Sequence, residues 1–274
     1  MRVRGLKVKP LVLKLGGSVI TYKEKPLTPN LPAIERLASE ISRANVSRLI
    51  LVHGGGSFGH TIAKQYAIEK GYKDQTQIMG FSKTRQAMIA LNKLVVDSLI
   101  QHNIPAVTVQ PSSCIITKQG RIQLMEEKPL RKLLEMEFVP VLHGDAVLDS
   151  DKGFAILSGD QLVSSLAIKL NAERIIIGID VDGLYASDPK TDSTAQLIQH
   201  VTLQELRKLH HKIEENKVTD VTGGMFGKMM ELMPAVEKGI QAMIINAAKS
   251  DNVYKALKSE KVSGTVIKRG EEVA

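Results

Sequence analysis

Six short runs of Val, Ile and Leu, separated by longer stretches with helical spacing, constrain this chain more than any other feature it has. The runs are "LVLKL" (11–15), "RLILV" (48–52), "PAVTV" (105–109), "FVPVL" (138–142), "RIIIGI" (174–179) and "AMIIN" (242–246). They show little of the apolar–polar alternation of a strand with one wet face, which predicts strands covered on both sides. Between them, Ile34, Leu37, Ala38 and Ile41 share one face of a helical segment at 31–44, with Asn30 placed to cap it. Further helices are predicted near 59–68, 81–102, 127–136, 160–171, 202–215 and 226–239. Such alternation predicts an α/β fold, helices sandwiching an open, mainly parallel sheet. Two segments break the pattern and read as hairpins, 114–125 turning at Gln119-Gly120 and 146–157 turning near Asp151-Lys152-Gly153. No linker-like break or internal repeat divides the 274 residues, so one domain with two lobes is expected.

Composition narrows the class. With 43% hydrophobic and 24% charged residues the chain is a folded one, not a disordered one. The net charge of +8 suits an anionic partner without saying whether that is a nucleic acid or a small phosphate. Five Tyr, five Phe and no Trp leave few platforms for stacking bases, and no helix-turn-helix, zinc or RNP-type signature accompanies the charge. No nucleic-acid partner is therefore expected. The single Cys114 excludes an internal disulfide framework. No run approaches 18 apolar residues and no cleavable leader is legible, so the reading is cytoplasmic, without membrane insertion.

Parallel sheets bind ligands beyond the carboxyl ends of their strands, and four runs here end in polar, glycine-rich turns. These are "KLGGS" (14–18), "HGGGSFGH" (53–60), "HGD" (143–145) and "GIDVDGLY" (178–185), and "TGGMFGK" (222–228) opens a helix. Glycine lets backbone approach a ligand, and a helix N-terminus offers its free N–H groups to an anion. The second turn matches two unrelated motifs. Gly54, Gly56 and Gly59 spell a dinucleotide fingerprint, but it follows the second strand, and Asp74, at the right distance, sits in a polar stretch. Gly55, Ser57 and Gly59 spell a nucleophile elbow, for which Asp145 and His200, His210 or His211 would complete a triad without any matching turn. "TGGMFGK" fails as a P-loop, with Thr222 at the first glycine and Met229 where the metal-binding hydroxyl belongs.

Taken in order, "KLGGSVIT" (14–21), the glycine turn after the second strand, "SGDQL" (158–162), "DVDGLY" (180–185) and "GGMFGK" (223–228) resemble the amino acid kinase superfamily across nearly the whole chain. Within it, "VHGGGSFGH" (52–60), with "ITYK" upstream and "DVTGGMFGK" downstream, is similar to the isopentenyl phosphate kinase family of archaeal type, while fosfomycin kinases share much of the histidine-containing loop. The resemblance implies the amino acid kinase fold, with a substrate lobe at about 1–170 and a nucleotide lobe at about 171–274. It also implies ATP-dependent phosphorylation of isopentenyl phosphate to the diphosphate, Mg²⁺ held mainly by the ATP phosphates, and a homodimer. Carried onto this sequence, it makes His60, Lys14, Lys23, Asp160 and Lys228 catalytic. Gly16, Gly17, Ser18, Gly56, Asp180, Asp182, Gly183, Gly223 and Gly224 join Lys14 and Lys228 in binding ATP, and Gly55, His60 and Gly159 face the substrate phosphate.

The residues themselves fit that chemistry. Phosphoryl transfer between two anions is mostly positioning and neutralisation of charge, for which ammonium groups and backbone N–H groups serve. Lys14 stands where the first strand meets its turn. Lys25 lies two residues from Lys23 in "TYKEKP" and competes with it for the phosphate. Asp160 can cap the helix it precedes, organise the lysines, or both. His53 reads as a structural hydrogen-bonder. The helix near 81–102 and residues 62–68 offer apolar side chains for an isoprenoid tail, at a spacing that core packing would equally produce.

Overall fold

The computed structural model describes residues 8–187, 192, 194–208 and 225–270. Its strands are β1 (Leu11–Leu15), β2 (Leu49–His53), β3 (Ala106–Thr108), β4 (Ile115–Lys118), β5 (Arg121–Met125) and β6 (Val139–His143). They continue with β7 (Asp145–Asp149), β8 (Gly153–Leu157), β9 (Arg174–Ile179), β10 (His200–Thr202), β11 (Gln241–Asn246) and β12 (Gly264–Lys268). The helices are α1 (Gly17–Ile20), α2 (Leu31–Ala44), α3 (Gly56–Gln65), α4 (Gln75–Gln101), α5 (Pro111–Cys114), α6 (Lys128–Glu135) and α7 (Gly159–Leu170). After α8, described over 203–208, come α9 (Met225–Glu237) and α10 (Asn252–Leu257). The rest of the helix expected at 202–215 lies outside the described residues.

Eight strands form one sheet in the order β10-β12-β11-β9-β1-β2-β6-β3, every pairing parallel except β11 with β12. Alternate residues of each central strand serve opposite faces. Val12, Ile50, Val52, Ile175 and Ile177 pack with Leu162 and Leu166 of α7 and Leu232 of α9. Leu11, Leu13, Leu49, Leu51 and Ile176 pack with Leu37 and Ile41 of α2 and Leu91 of α4. Each such side chain contributes about 1.5–3 kcal/mol by leaving water. This is the αβα sandwich the sequence predicts. The two hairpins form as expected and pair, β4 beside β7, into a second sheet in the order β5-β4-β7-β8.

Element ends follow local chemistry. The Asn30 side chain accepts from Ala33 N–H at 3.3 Å and starts α2 where expected. α4 begins six residues before the expected 81, because Asp74 is its cap: Asp74 Oδ1 accepts from Thr76 N–H at 2.8 Å, and Gln77 reaches back to the Asp74 N–H. The Asp74 of the discarded dinucleotide reading thus has a structural task. α3 begins at Gly56, three residues before the expected 59, inside a glycine run that propensity reads as turn.

Candidate active site

β9, β1, β2 and β6 are neighbours at the middle of the large sheet, so their glycine turns emerge side by side. The parallel ladder continues past the strands to hold them: Gly16 N–H donates to Gly178 O at 2.7 Å, Gly54 N–H to Leu15 O at 2.9 Å and Gly144 N–H to His53 O at 3.0 Å. The first two turns stack backbone on backbone. A Cβ on Gly54 would stand 2.7 Å from Gly17 N, and one on Gly17 would overlap Gly56 N. Gly56 moreover has φ +48°, where a side chain is strained, and Thr21 fills the space its Cβ would take. Glycine is required here by the turns' own packing, whatever else they bind.

A cavity of about 650 Å³ opens over these turns. Of the residues expected at a site, Lys14, Gly16, Gly17, Ser18, Lys23, Gly55, Gly56, His60, Gly159, Asp160, Asp180, Gly183 and Lys228 line it. Asp182 stands behind, paired with Lys249. Gly223 and Gly224 lie outside the described residues. Lys23 reaches the cavity, whereas Lys25 is not in its lining. Apolar side chains beside His60 come from Ala63 on α3, Met88 on α4 and Ile156 on β8, so only Ala63 of 62–68 takes part and the β8 contribution is new. Val181, Leu184 and Met225 add apolar surface on the C-terminal side. Ser57 is buried with its hydroxyl directed at Thr28, and His200 lies on β10 at the sheet edge, so the hydrolase triad does not assemble with it; His210 and His211 lie outside the described residues.

The charged centre is Lys14, Asp160 and Lys228. Lys14 Nζ donates to Asp160 Oδ1 at 2.6 Å, and Lys228 Nζ lies 3.5 Å from Asp160 Oδ2. Burial alone would raise the Asp160 carboxyl, but the Lys14 and Lys228 charges outweigh it and hold the group below its ordinary range. Burial pushes Lys14 down, opposed by Asp160. Asp160 is not the helix cap. Ser158 takes that role, its Oγ accepting from Gln161 N–H at 3.1 Å, which leaves Asp160 in the first turn of α7 and free to bridge the lysines. Of the two tasks open to Asp160 in the sequence, the cap is thus excluded and the bridge between the lysines remains.

Around this centre, Lys23 Nζ donates to Asp180 Oδ2 at 3.2 Å. The Asp180 carboxyl is pushed up by burial, but hydrogen bonds from Ser18 and Lys23 leave it below its usual range. Lys249, past the end of β11, meets Asp182 Oδ1 at 2.7 Å; the strand-end rule applied to β11 would have found it. Asp180 and Asp182 are thus each committed to a lysine, and among the described residues no group of three or more metal-binding side chains converges. His60 lines the cavity one turn into α3, facing the lysines. Solvent reaches its ring through the cavity mouth, yet enough protein surrounds it that desolvation, with the Lys228 and Lys14 charges, lowers its pKa. It enters the site as a neutral imidazole.

Buried histidines below the turns make stability depend on pH. Desolvation lowers His53 to about 3 and His143 to about 4, and raises Asp145 to about 6. Unfolded histidines take up protons near 6.5, so between pH 6.5 and 4 the unfolded chain binds up to two protons that the native state refuses. Asp145 has the opposite sign, binding a native proton below about 6 that the unfolded chain takes only near 3.9. These three groups together give about one proton, so they alone are expected to make stability fall by about 1.4 kcal/mol per pH unit as pH drops from 6 to 4. The lowered His60, Asp160 and Asp180 add to the fall in the same direction. Urea unfolding at pH 7, 6, 5 and 4.5 checks this, and a flat profile would contradict the neutral burial of the pair.

The amino acid kinase family model matches residues 9–246, and the chain belongs to that family. Within it, the chain is 43% identical over 94% of its length to the isopentenyl phosphate kinase of Methanothermobacter thermautotrophicus, covering 98% of that protein. It is 35% identical to that of Methanocaldococcus jannaschii, over 93% of this chain and 97% of the other. A solved isopentenyl phosphate kinase structure superposes with a TM-score of 0.82 at 40% identity, covering 94% of this chain and 99% of that one.

Proposed function

We propose that this chain transfers the γ-phosphoryl group of ATP to isopentenyl phosphate, giving isopentenyl diphosphate and ADP. The observation that carries the reading is the cavity itself. Two lysines bridged by one carboxylate stand in the same chamber as His60, and beyond them the wall turns aliphatic at Ala63, Met88 and Ile156. A phosphate head with a short apolar tail matches that order, and the relatives carry the same name from end to end.

An acceptor phosphate oxygen is already anionic, so no general base is needed. That oxygen forms the new bond to the γ-phosphorus as the bond to the bridging oxygen breaks, and ADP departs with the electron pair. Lys14 faces the transferred group, Lys228 and the turn at Gly16-Gly17 the nucleotide phosphates, and Asp160 fixes both ammoniums. Lys23 neutralises charge from the Asp180 side. His60 and the backbone at Gly55 and Gly159 hold the acceptor phosphate. The donor end falls to the C-terminal half, with Asp182 and Gly183, and the acceptor end to the N-terminal half. Because Asp180 and Asp182 are committed to lysines, Mg²⁺ would be held mainly by the ATP phosphates, where it supplies further neutralisation. A homodimer belongs to the same proposal and is read by light scattering.

ADP release measured over isopentenyl phosphate, fosfomycin, acetylglutamate and carbamate, with ATP and Mg²⁺, tests the assignment. Turnover is expected with isopentenyl phosphate. Robust turnover of any other with none of isopentenyl phosphate would transfer the assignment.

A further inference from the structure

His53 closes β2 and is fully buried against α4. Its Nδ1 is 3.1 Å from the Gly54 carbonyl oxygen and its Nε2 is 3.0 Å from Asn92 Oδ1, while Asn92 Nδ2 donates to Thr108 Oγ1 at 2.8 Å. An amide's oxygen and nitrogen are interchangeable by a half-turn. A neutral ring carries one N–H. Placed on Nδ1, it donates to Gly54 O; Nε2 then accepts from the Asn92 NH₂, and the Asn92 oxygen from the Thr108 hydroxyl. A half-turn of the amide satisfies all three contacts. The other tautomer sets a bare Nδ1 lone pair against a carbonyl oxygen. His143, the register partner of His53, repeats the device: its Nδ1 lies 2.9 Å from Gly144 O, and its Nε2 has no partner among the described residues.

A planar trans peptide points its C=O and the following N–H in opposite directions. Drawing the Gly54 carbonyl inward to His53 turns the Gly55 N–H the other way, to the side where Gly54, Gly55 and Gly56 line the cavity. Among the described residues that N–H donates to no protein group. An unpaired backbone N–H is a strong donor in want of an acceptor.

We propose that His53 is a positioning residue: its Nδ1–H locks the Gly54 peptide so that the Gly55 N–H is presented to the acceptor phosphate. The assignment rests on the acceptor reading given above. It places the specificity of the glycine turn partly in a side chain that never touches substrate.

The test compares wild type, His53→Leu, His53→Asn and Asn92→Ala, each first shown folded by thermal melting. His53→Leu is expected to raise the KM for isopentenyl phosphate by about 10-fold or more, the loss of one donor to a charged group. The KM for ATP should stay within about twofold. His53→Asn keeps a donor for the same carbonyl and should recover most of the loss. In ¹⁵N–¹H spectra, isopentenyl phosphate should move the Gly55 amide proton downfield in wild type and His53→Asn, and much less in His53→Leu. Should His53→Leu not fold, Asn92→Ala, which removes the support at Nε2, should show the same acceptor-specific loss to a smaller degree. Acceptor and ATP KM rising together, or a Gly55 amide unmoved in wild type that binds isopentenyl phosphate, would overturn the assignment. Wild type that binds no isopentenyl phosphate would instead remove the acceptor reading, and this assignment with it.

Discussion

Lys14→Ala is expected to lower turnover by about 10²–10³-fold, the usual cost of one charge-stabilising donor, and to destabilise the protein at the same time. The second effect follows from burial. Lys14 is 4% exposed and its ammonium is 2.6 Å from Asp160, so removal leaves a carboxylate in the interior with only the more distant Lys228, at 3.5 Å. Breaking one side of a buried pair costs about 3–5 kcal/mol, reduced here by the remaining lysine. The two effects separate in the double variant Lys14→Ala with Asp160→Ala. Its melting temperature should recover part of the loss, while its turnover should remain as low as that of Lys14→Ala. Near-normal turnover in Lys14→Ala at saturating substrates would put the transfer site elsewhere.

His60→Ala is expected to lose on the order of 10²-fold or more in turnover with little change in ATP affinity or melting temperature. The imidazole reaches the cavity rather than the core, so its removal leaves no packed void. Its pKa is lowered by desolvation and by Lys228 and Lys14, so at pH 7 the empty site holds a neutral donor. A dianionic phosphate beside it stabilises the protonated form, so acceptor binding is expected to draw in protons near neutral pH. His60→Asn and His60→Gln, which keep a neutral donor, should retain more activity than alanine. Wild-type-like turnover of His60→Ala on saturating isopentenyl phosphate would remove the histidine from the mechanism.

Where a run is long, apolar and central, the sequence is read almost to the residue. "LVLKL" and "RIIIGI" are β1 and β9 as expected, because burial on both faces leaves no polar position to confuse the period. β10 and β12 were not foreseen. They sit at one end of the sheet, and His200–Thr202 is too short to show a period while β12 runs into "KRG", which reads as surface charge. The turns at 14–18, 53–60 and 178–185 are legible locally as strand ends and do border the cavity, whereas Lys23 in its loop and Lys228 on α9 are singled out by the family resemblance and reach the same cavity. Ile156 is not legible in either way, since what qualifies it is the cavity it meets from the smaller sheet, whereas Lys249, just past the end of β11, falls under the same strand-end rule. Of the two tasks open to Asp160 in the sequence, bridging the lysines is the one it takes, because Ser158, two positions earlier, occupies the cap.

The stacking of Gly17 on Gly54 and Gly56 has a consequence for how such a molecule can change over time. Where two main chains already touch, no mutation can install a new contact, so that floor is closed to experiment by steric exclusion before any loss of chemistry is felt. The apolar end of the cavity is built differently. Ala63, Met88 and Ile156 meet the cavity through side chains borne on two helices, α3 and α4, and on the smaller sheet, not through main chain. Novelty in what this enzyme accepts would therefore have to arise on one side only, beneath a phosphoryl-handling floor that cannot follow it.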